Sequence, residues 1–109
     1  MATTQKKVYQ GQPGTAEATL YTNGTTKGAI IKEVIIANTT ATAATITLSI
    51  VTAAGAGGAT NRILAGKSVS PNDLIILALN TAMGASDLIT GLQGTLSALT
   101  VTISGIEFS

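Results

Sequence analysis

Residues 28–51 have the sequence GAIIKEVIIANTTATAATITLSIV, and this stretch indicates the fold class. β-Branched residues dominate both of its halves, and such residues favour a strand over a helix. In the second half, Ile46, Leu48 and Ile50 alternate with Thr and Ser, so this strand has one apolar and one polar face. The polar residues 38–43 between the halves are typical of a hairpin loop. We therefore predict a long β-hairpin from strands at residues 29–37 and 44–51.

The first strand of this hairpin carries apolar side chains on both faces. Strict alternation places Ile31, Glu33 and Ile35 on one face, and the other isoleucines and Val34 on the opposite face. A strand that is apolar on both faces is usually covered on both sides. In a small antiparallel domain a second subunit often provides the second cover. We therefore expect Ile31, Glu33 and Ile35 to lie in a subunit interface, and the chain to form a homo-oligomer, with a trimer favoured.

Short strand patterns continue through the rest of the chain, at residues 17–21, 61–64, 74–79, 88–92 and 96–108, with turn signals between them. This spacing predicts an all-β fold: a single antiparallel β-sandwich, jelly-roll or immunoglobulin-like, over residues 17–109. Residues 74–79 are continuously apolar, which indicates a buried strand. In the last strand the apolar positions change parity after Gly105. That change predicts either a β-bulge at the glycine or a partner that covers Ile106 and Phe108.

Residues 1–16 are polar and lack any period, so we expect them to form an extended N-terminal arm outside the sandwich. Such a segment is either a frayed terminus or an arm that docks on a neighbouring subunit. In the second case Val8 and Tyr9 would anchor the arm, and Lys6 and Lys7 would meet acidic groups of the partner. Deleting an arm of this kind should leave the stability of the isolated domain nearly unchanged.

Composition excludes several classes of function. The 109 residues suffice for one domain, and only 10% of them are charged, with a net charge of +1. This balance argues against nucleic acid and acidic membranes as partners. No apolar run approaches the roughly 20 residues of a membrane helix. The N-terminus has no signal-peptide pattern, so we expect synthesis in a cytoplasm.

The sequence offers little for chemistry. It contains neither histidine nor cysteine, which removes the usual catalytic bases, thiol nucleophiles and soft metal ligands. The glycine-rich residues 52–60 lack the Gly-Lys-Ser/Thr ending of a phosphate-binding loop, and we expect a flexible surface loop there. We therefore predict no catalytic residue, no cofactor and no metal site, and a protein that is not an enzyme. The carboxylates stand singly along the chain, at Glu17, Glu33, Asp73, Asp87 and Glu107.

Two parts of the chain resemble small structural proteins of tailed bacteriophages. One is residues 28–40, followed by a Thr-rich strand that ends at Leu48–Val51. The other is Leu92-Gln93-Gly94, followed by residues 99–107. The resemblance spans roughly residues 17–108 and consists of apolar strand patterns, so it transfers no active-site residue.

The resemblance implies a β-sandwich module of the virion, with the major capsid protein or other virion proteins as partners. Within that class a capsid decoration protein is favoured, because a single compact domain without fibre repeats suits a lattice cap. The alternative is a tail, baseplate or head-fibre module that binds a host-surface glycan. Glycan sites commonly use exposed aromatic residues, and Tyr9, Tyr21 and Phe108 are the only aromatics in the chain.

Overall fold

The computed structural model of the chain describes residues 3–24, 28–53, 55, 57–58 and 60–108. Met1 and Ala2 of the expected arm and positions 54, 56 and 59 of the expected loop lie outside these residues. The described residues form eight strands and no helix, which confirms the all-β prediction. The strands are β1 Thr3–Gly11, β2 Ala18–Thr22, β3 Ala29–Asn38, β4 Ala44–Val51, β5 Arg62–Val69, β6 Leu74–Met83, β7 Leu88–Gln93 and β8 Leu99–Phe108.

The strands form two four-stranded antiparallel sheets that share one hydrophobic core. The first sheet has the order β1-β8-β3-β6, and the second has the order β2-β7-β4-β5. Every connection except that between β4 and β5 passes from one sheet to the other. This order of eight strands in two sheets is that of a jelly roll. It selects the jelly roll over the immunoglobulin-like alternative.

The hairpin predicted for residues 28–51 is wrong, although both of its strands exist. β3 belongs to the first sheet and β4 to the second, so the two strands do not pair. The buried Asn38 organises the crossing: its Nδ2 donates to the carbonyls of Thr42 at 2.9 Å and Val69 at 3.1 Å. Its Oδ1 accepts from the backbone N–H of Thr40 at 2.9 Å. Alternation along a strand shows which face is buried, but it does not identify the neighbouring strand.

The core consists of alternate side chains from the central strands of both sheets. In β8 the buried positions are those that the alternation predicts. In β4, Ile46 and Leu48 are buried as predicted, but Ser49 is also buried and Ile50 is only half-buried, so the predicted alternation ends after Leu48. The fully buried side chains of β3, β4, β7 and β8 include Ile31, Val34, Ile36, Ile46, Leu48, Ile89, Leu99, Val101 and Ile103.

A β-bulge explains why β3 has apolar residues at both parities. Ile31 pairs with Gly105 of β8, but Glu33 pairs with Ser104, so Lys32 is an extra residue on β3. The bulge exchanges the two faces: Ile31 points into the core before it, and Val34 points into the core after it. Ile31 is only 1% exposed and packs within its own chain. This burial corrects its predicted place in a subunit interface.

The bulge predicted at Gly105 lies on the neighbouring strands instead. β8 keeps its alternation through Gly105, which is buried, while Ile106 and Phe108 are half-buried. A second bulge lies on β1 at Val8, on the other side of the same part of β8. Gly105 has a steric role, because a Cβ there would lie 2.6 Å from the carbonyl oxygen of Ile30. The glycine therefore allows β3 and β8 to approach closely.

The expectation that residues 1–16 form an arm outside the sandwich needs correction. Thr3–Gly11 is an edge strand that pairs with β8 from Phe108 to Val101. Val8 and Tyr9 are half-buried and pack against the core. The polar sequence hid this strand because an edge strand has little apolar surface to bury, and its bulge breaks the alternation.

Gln93 ties the segment after β1 to the start of β8. Its side chain is fully buried, its Nε2 donates to the carbonyl of Pro13, and its Oε1 accepts from the N–H of Leu99 at 2.8 Å. Its own N–H donates to the carbonyl of Gly14 at 3.0 Å. Because buried amides need such partners, Gln93 fixes both segments in place.

Candidate functional site

An apolar patch lies on the outer face of the first sheet, next to β6. Cross-strand pairing places Ile35 opposite Ile76 and Ala37 opposite Leu74. Leu74 is 50% exposed and Ile76 is 56% exposed, while Ile35 and Ala37 are half-buried. We call these four residues the apolar patch. On the β8 side it ends at threonines, which pair with Ile35 and Ala37.

The exposure of the patch corrects the prediction that residues 74–79 form a strand buried on both faces. β6 is the last strand of the first sheet, and its residues alternate between exposed and half-buried. Only the odd positions, such as Ile75 and Leu77, pack against the core. A continuously apolar run predicts a strand covered on both faces, but in the structure only one face of β6 is covered.

β6 is also an edge with little of the usual protection. Natural edge strands are blunted by charges, proline, short length or bulges. β6 runs for ten residues, LIILALNTAM, without a charged residue or a proline. Its register against β3 shifts between Ala78 and Thr81, so its regular part is Leu74–Ala78, where the apolar patch lies. Among the described residues it pairs only with β3. Its free side therefore offers backbone donors and acceptors beside exposed apolar side chains.

The other sheet edges carry features that discourage pairing. β1 has Lys6 and Lys7, both exposed, and the bulge at Val8. β2 is only five residues long and contains a bulge. β5 has Lys67, two register shifts against β4, and Gly66 with a φ of 66°. Of the sheet edges formed by the described residues, the regular, uncharged part of β6 at Leu74–Ala78 is thus the best suited to accept another strand.

The predicted interface residues of β1 mainly make contacts within the chain. The Lys6 ammonium lies 3.1 Å from a carboxylate oxygen of Glu107, and Lys7 Nζ donates to Gln10 Oε1 at 2.9 Å. Val8 and Tyr9 pack against the core. The structure therefore brings these four residues together on one edge strand, which β8 separates from the nearest part of the apolar patch on β3.

The predicted interface residues of β3 separate into different environments. Ile31 is in the core, while Ile35 belongs to the apolar patch. Glu33 is exposed and lies opposite Ser104 on one side and Ala78 on the other. Sequence reasoning thus located part of the surface, at Ile35, but it missed Leu74 and Ile76 because it assigned them to the interior.

A hollow lies where the two bulges flank β8. Its volume is about 410 Å³. Lys32 Nζ donates to Asn80 Oδ1 at 2.5 Å, which links the bulge of β3 to β6. The hollow is open and shallow, with no metal-ligating set around it. It is lined by Gln5, Lys6, Lys32, Ser104, Gly105 and Ile106.

Glu107 joins the two sheets through a cluster of polar side chains. The hydroxyl of Tyr21 on β2 donates to the Glu107 carboxylate, which also forms a salt bridge with Lys6. Burial raises the pKa of Tyr21, and the hydrogen bond to Glu107 raises it further. The hydrogen bonds from Tyr21 and Lys6 lower the pKa of Glu107. The carboxylate is thus held ionised, which suits a structural contact.

A second polar cluster lies beneath the glycine-rich loop. Arg62 Nη1 donates to Glu17 Oε2 at 2.6 Å and to Ser49 Oγ at 2.8 Å. Thr90 Oγ1 donates to the same Glu17 oxygen at 2.7 Å. The hydrogen bonds from Arg62 and Thr90 lower the pKa of Glu17. A hollow of about 250 Å³ beside this cluster is lined by Glu17, Ala18, Thr19, Gly55, Gly57, Leu88 and Thr90.

The glycine-rich loop is packed at the positions that the structure describes. A Cβ on Gly57 would lie 1.8 Å from Glu17 Oε2, so only a glycine fits against this carboxylate as it stands. The N–H of Ala53 donates to Asp87 Oδ1 at 3.1 Å, and the N–H of Gly58 donates to Asn61 Oδ1 at 2.9 Å. These contacts correct the expectation of a freely flexible loop for the described positions.

These clusters do not resemble an acid–base pair. General acids need carboxyls whose pKa is raised towards neutrality, whereas the pKa values of Glu17 and Glu107 are lowered. Among the described residues, no three His, Cys, Asp or Glu side chains gather as metal ligands would. The same part of the chain contains no helix long and apolar enough to cross a membrane.

No protein-family model matches the sequence, and no curated protein matches it either. Solved structures do share its fold. A chain from Bacillus endospore appendages, which form disulfide-linked pili, superposes with a TM-score of 0.60 at 15% identity. That match covers 98% of this chain and 88% of the other.

Two viral structures are similar over part of their length. A chain of the T13 particle of infectious bursal disease virus gives a TM-score of 0.63 at 8% identity, and one from the Gx strain gives 0.54 at 11%. The matches cover 98% and 97% of this chain. They span only 31% and 32% of the two viral chains. At such low identity these likenesses show a shared fold.

Proposed function

We propose that this chain is a structural protein of a bacteriophage virion, a capsid decoration protein that assembles with itself and docks on the particle lattice. The observation that carries the proposal is the apolar patch beside the uncharged edge of β6. Exposed apolar side chains next to unpaired backbone groups are typical of a surface that another protein covers.

The chemistry of the remaining surface agrees with this role. The carboxylates of Glu17 and Glu107 are held by Arg62 and Lys6 in contacts that join strands of the sandwich. The hollows beside them are open, and apart from Ile106 and Leu88 they are lined by small, polar or charged side chains. These charged groups hold the chain's own strands together, which is consistent with a structural role.

The fold is also used in protein assemblies. The structures that share it include appendages that form pili and the particle of an icosahedral virus. The appendage pili are disulfide-linked, whereas this chain has no cysteine. Disulfides therefore cannot link copies of this chain, and the apolar patch offers a non-covalent contact instead. The resemblance of residues 17–108 to small proteins of tailed bacteriophages favours a phage virion among the possible assemblies.

The proposal is tested by finding the chain in its particle. Virions are purified on a density gradient from cells that produce the chain, and their proteins are quantified by mass spectrometry. We expect the chain in the particle fraction at a fixed ratio to the major capsid protein. Cryo-electron microscopy should then show it on the outer capsid surface as an elongated density of about 45 × 25 × 18 Å.

Other locations would contradict the proposal. A chain that remains wholly in the soluble fraction is not a virion protein. Density at the tail or a fibre tip, together with binding to a glycan array, would support the glycan-binding module instead.

A further inference from the structure

The self-assembly on which the proposed function rests needs a contact surface, and the structure offers one. We infer that two copies of the chain pair through β6, antiparallel and about a two-fold axis at Ile76. The two first sheets then form one continuous eight-stranded sheet, with the order β1-β8-β3-β6 followed by its mirror order in the second copy. The partner of the apolar patch is therefore a second apolar patch.

A two-fold axis at Ile76 brings together the exposed apolar side chains of β6. In an antiparallel pair, directly opposed residues lie on the same face of the sheet. Ile76 then meets Ile76 of the second copy, and Leu74 meets Ala78 of the second copy. Ile35 and Ala37, one strand further in, continue the apolar surface on both sides of the axis. The large side chains that stand half exposed in one chain become the centre of an interface.

The alternative partner strand, β1, complements this surface poorly. Pairing β6 with β1 of another copy would also continue the antiparallel sheet, and it would build an open-ended filament. However, Gln5, Lys6, Lys7 and Gln10 of β1 are exposed polar or charged residues. They would face Leu74 and Ile76 and leave these apolar side chains without apolar contacts. The bulge at Val8 further disturbs the edge that β1 offers.

Charge also favours the two-fold arrangement. β6 carries no charged residue, so two copies of it meet without like-charge repulsion. With Ile76 on the axis, Asn80 of one copy lies beside the turn at Asn72–Asp73 of the other. Lys32 Nζ is held on Asn80 Oδ1, so its positive charge lies near Asp73 of the second copy. Symmetry repeats this contact of opposite charges at the other end of the interface.

Cysteine cross-linking tests the arrangement directly, because the full chain has no cysteine of its own. A two-fold axis at Ile76 brings the two Cα atoms of that position to about 4.5–5.5 Å, within the range of a disulfide. We expect the variant Ile76→Cys to form a covalent dimer under mild oxidation. The matched control is Ala65→Cys, an exposed position on the edge strand β5, which should stay monomeric on a non-reducing gel.

Molar mass in solution provides the second readout. By light scattering, the unmodified chain should approach twice 10.9 kDa with rising concentration. Ile76→Lys should remain at 10.9 kDa with an unchanged circular dichroism spectrum, while Ala65→Lys should behave as the unmodified chain. A trimer, a filament, a dimer that survives Ile76→Lys, or an Ile76→Cys chain that does not cross-link would each overturn the inference.

This outcome is separable from the proposed function. A chain that is monomeric in solution yet present on purified virions would overturn the pairing through β6 and leave the virion role intact. A cross-linked dimer that is absent from virions would support the pairing through β6 and contradict the virion role.

Discussion

Ile35 on β3 lies directly opposite Ile76 on β6, and Ile76 remains 56% exposed at the edge of the sheet. The pair forms the middle of an apolar surface that the chain itself does not cover. Burial of an exposed isoleucine is worth roughly 1.5–3 kcal/mol, so a protein that covers this pair gains appreciable binding energy. This relationship connects the jelly-roll topology to assembly, because the topology is what places β6 at an edge.

Neighbouring residues of β8 test which face of the first sheet is the core. Val101 is fully buried, whereas Thr102 points to the opposite face and is half-buried. Val101→Asn should lower the free energy of unfolding by about 3 kcal/mol, since it loses apolar burial and leaves an amide unpaired. Thr102→Asn should cost less than about 1 kcal/mol. Urea unfolding measures both, and equal losses would show that the orientation of β8 is wrong.

The glycine-rich loop offers a pair of adjacent test positions. Gly57→Ala places a methyl group where Glu17 Oε2 now lies, so the carboxylate must leave Arg62 and Thr90. We expect a loss of about 1 kcal/mol and a lower melting temperature. Gly58→Ala meets no atom within 4 Å and should leave the melting temperature nearly unchanged. Equal melting temperatures for the two variants would contradict the packed loop.

Stability should fall in acid because of two carboxylates. The folded-state pKa values of Glu17 and Glu107 are lowered from the ordinary value of 4.5. Their contribution is therefore fully present above that pH and is lost as the pH falls through the lowered values. Melting temperatures measured from pH 7 to pH 2 should drop below about pH 4.5. The variant with Glu17→Gln and Glu107→Gln should be less stable at pH 7 and lose less in acid; an identical pH profile would exclude these groups.

Removal of β1 should destabilise the sandwich. Deleting residues 2–11 takes away the strand that pairs with β8 and exposes the core that Val8 and Tyr9 cover. We expect the free energy of unfolding to fall by at least about 2 kcal/mol, measured by urea unfolding. The variant with Lys6→Ser and Lys7→Ser keeps the strand and should lose much less. A deletion that leaves the free energy of unfolding unchanged would show that residues 3–11 are a dispensable arm.

The sequence predicted the residues of the core better than the partners of the strands. Ile46, Leu48, Leu99, Val101 and Ile103 follow clean alternation, and all five are fully buried. Alternation depends only on the local pleat, so it can be read from a short stretch. The pairing of β3 with β6 and β8 depends on contacts far apart in sequence. The local pattern does not contain these contacts and therefore predicts a hairpin that does not form.

Two local features misled the prediction of the candidate site. The bulge at Lys32 exchanges the faces of β3, so strict alternation predicts Ile31 at the surface although it is buried. The apolar run of β6 predicts an interior strand, because an interior strand and an exposed apolar edge strand share the same composition. The buried amides of Asn38 and Gln93 also carry no local signal, since both act through bonds to distant backbone groups.

Reconstitution on particles tests the central claim most directly. Particles that lack the chain are mixed with the purified protein, pelleted through a sucrose cushion, and the bound protein is quantified against the major capsid protein. The account predicts saturable binding at a fixed stoichiometry, weakened at least tenfold by the variant with Leu74→Lys and Ile76→Lys and unchanged by Ala65→Lys. Unmodified protein that stays in the supernatant, or binding that the patch variant leaves unchanged, would contradict it.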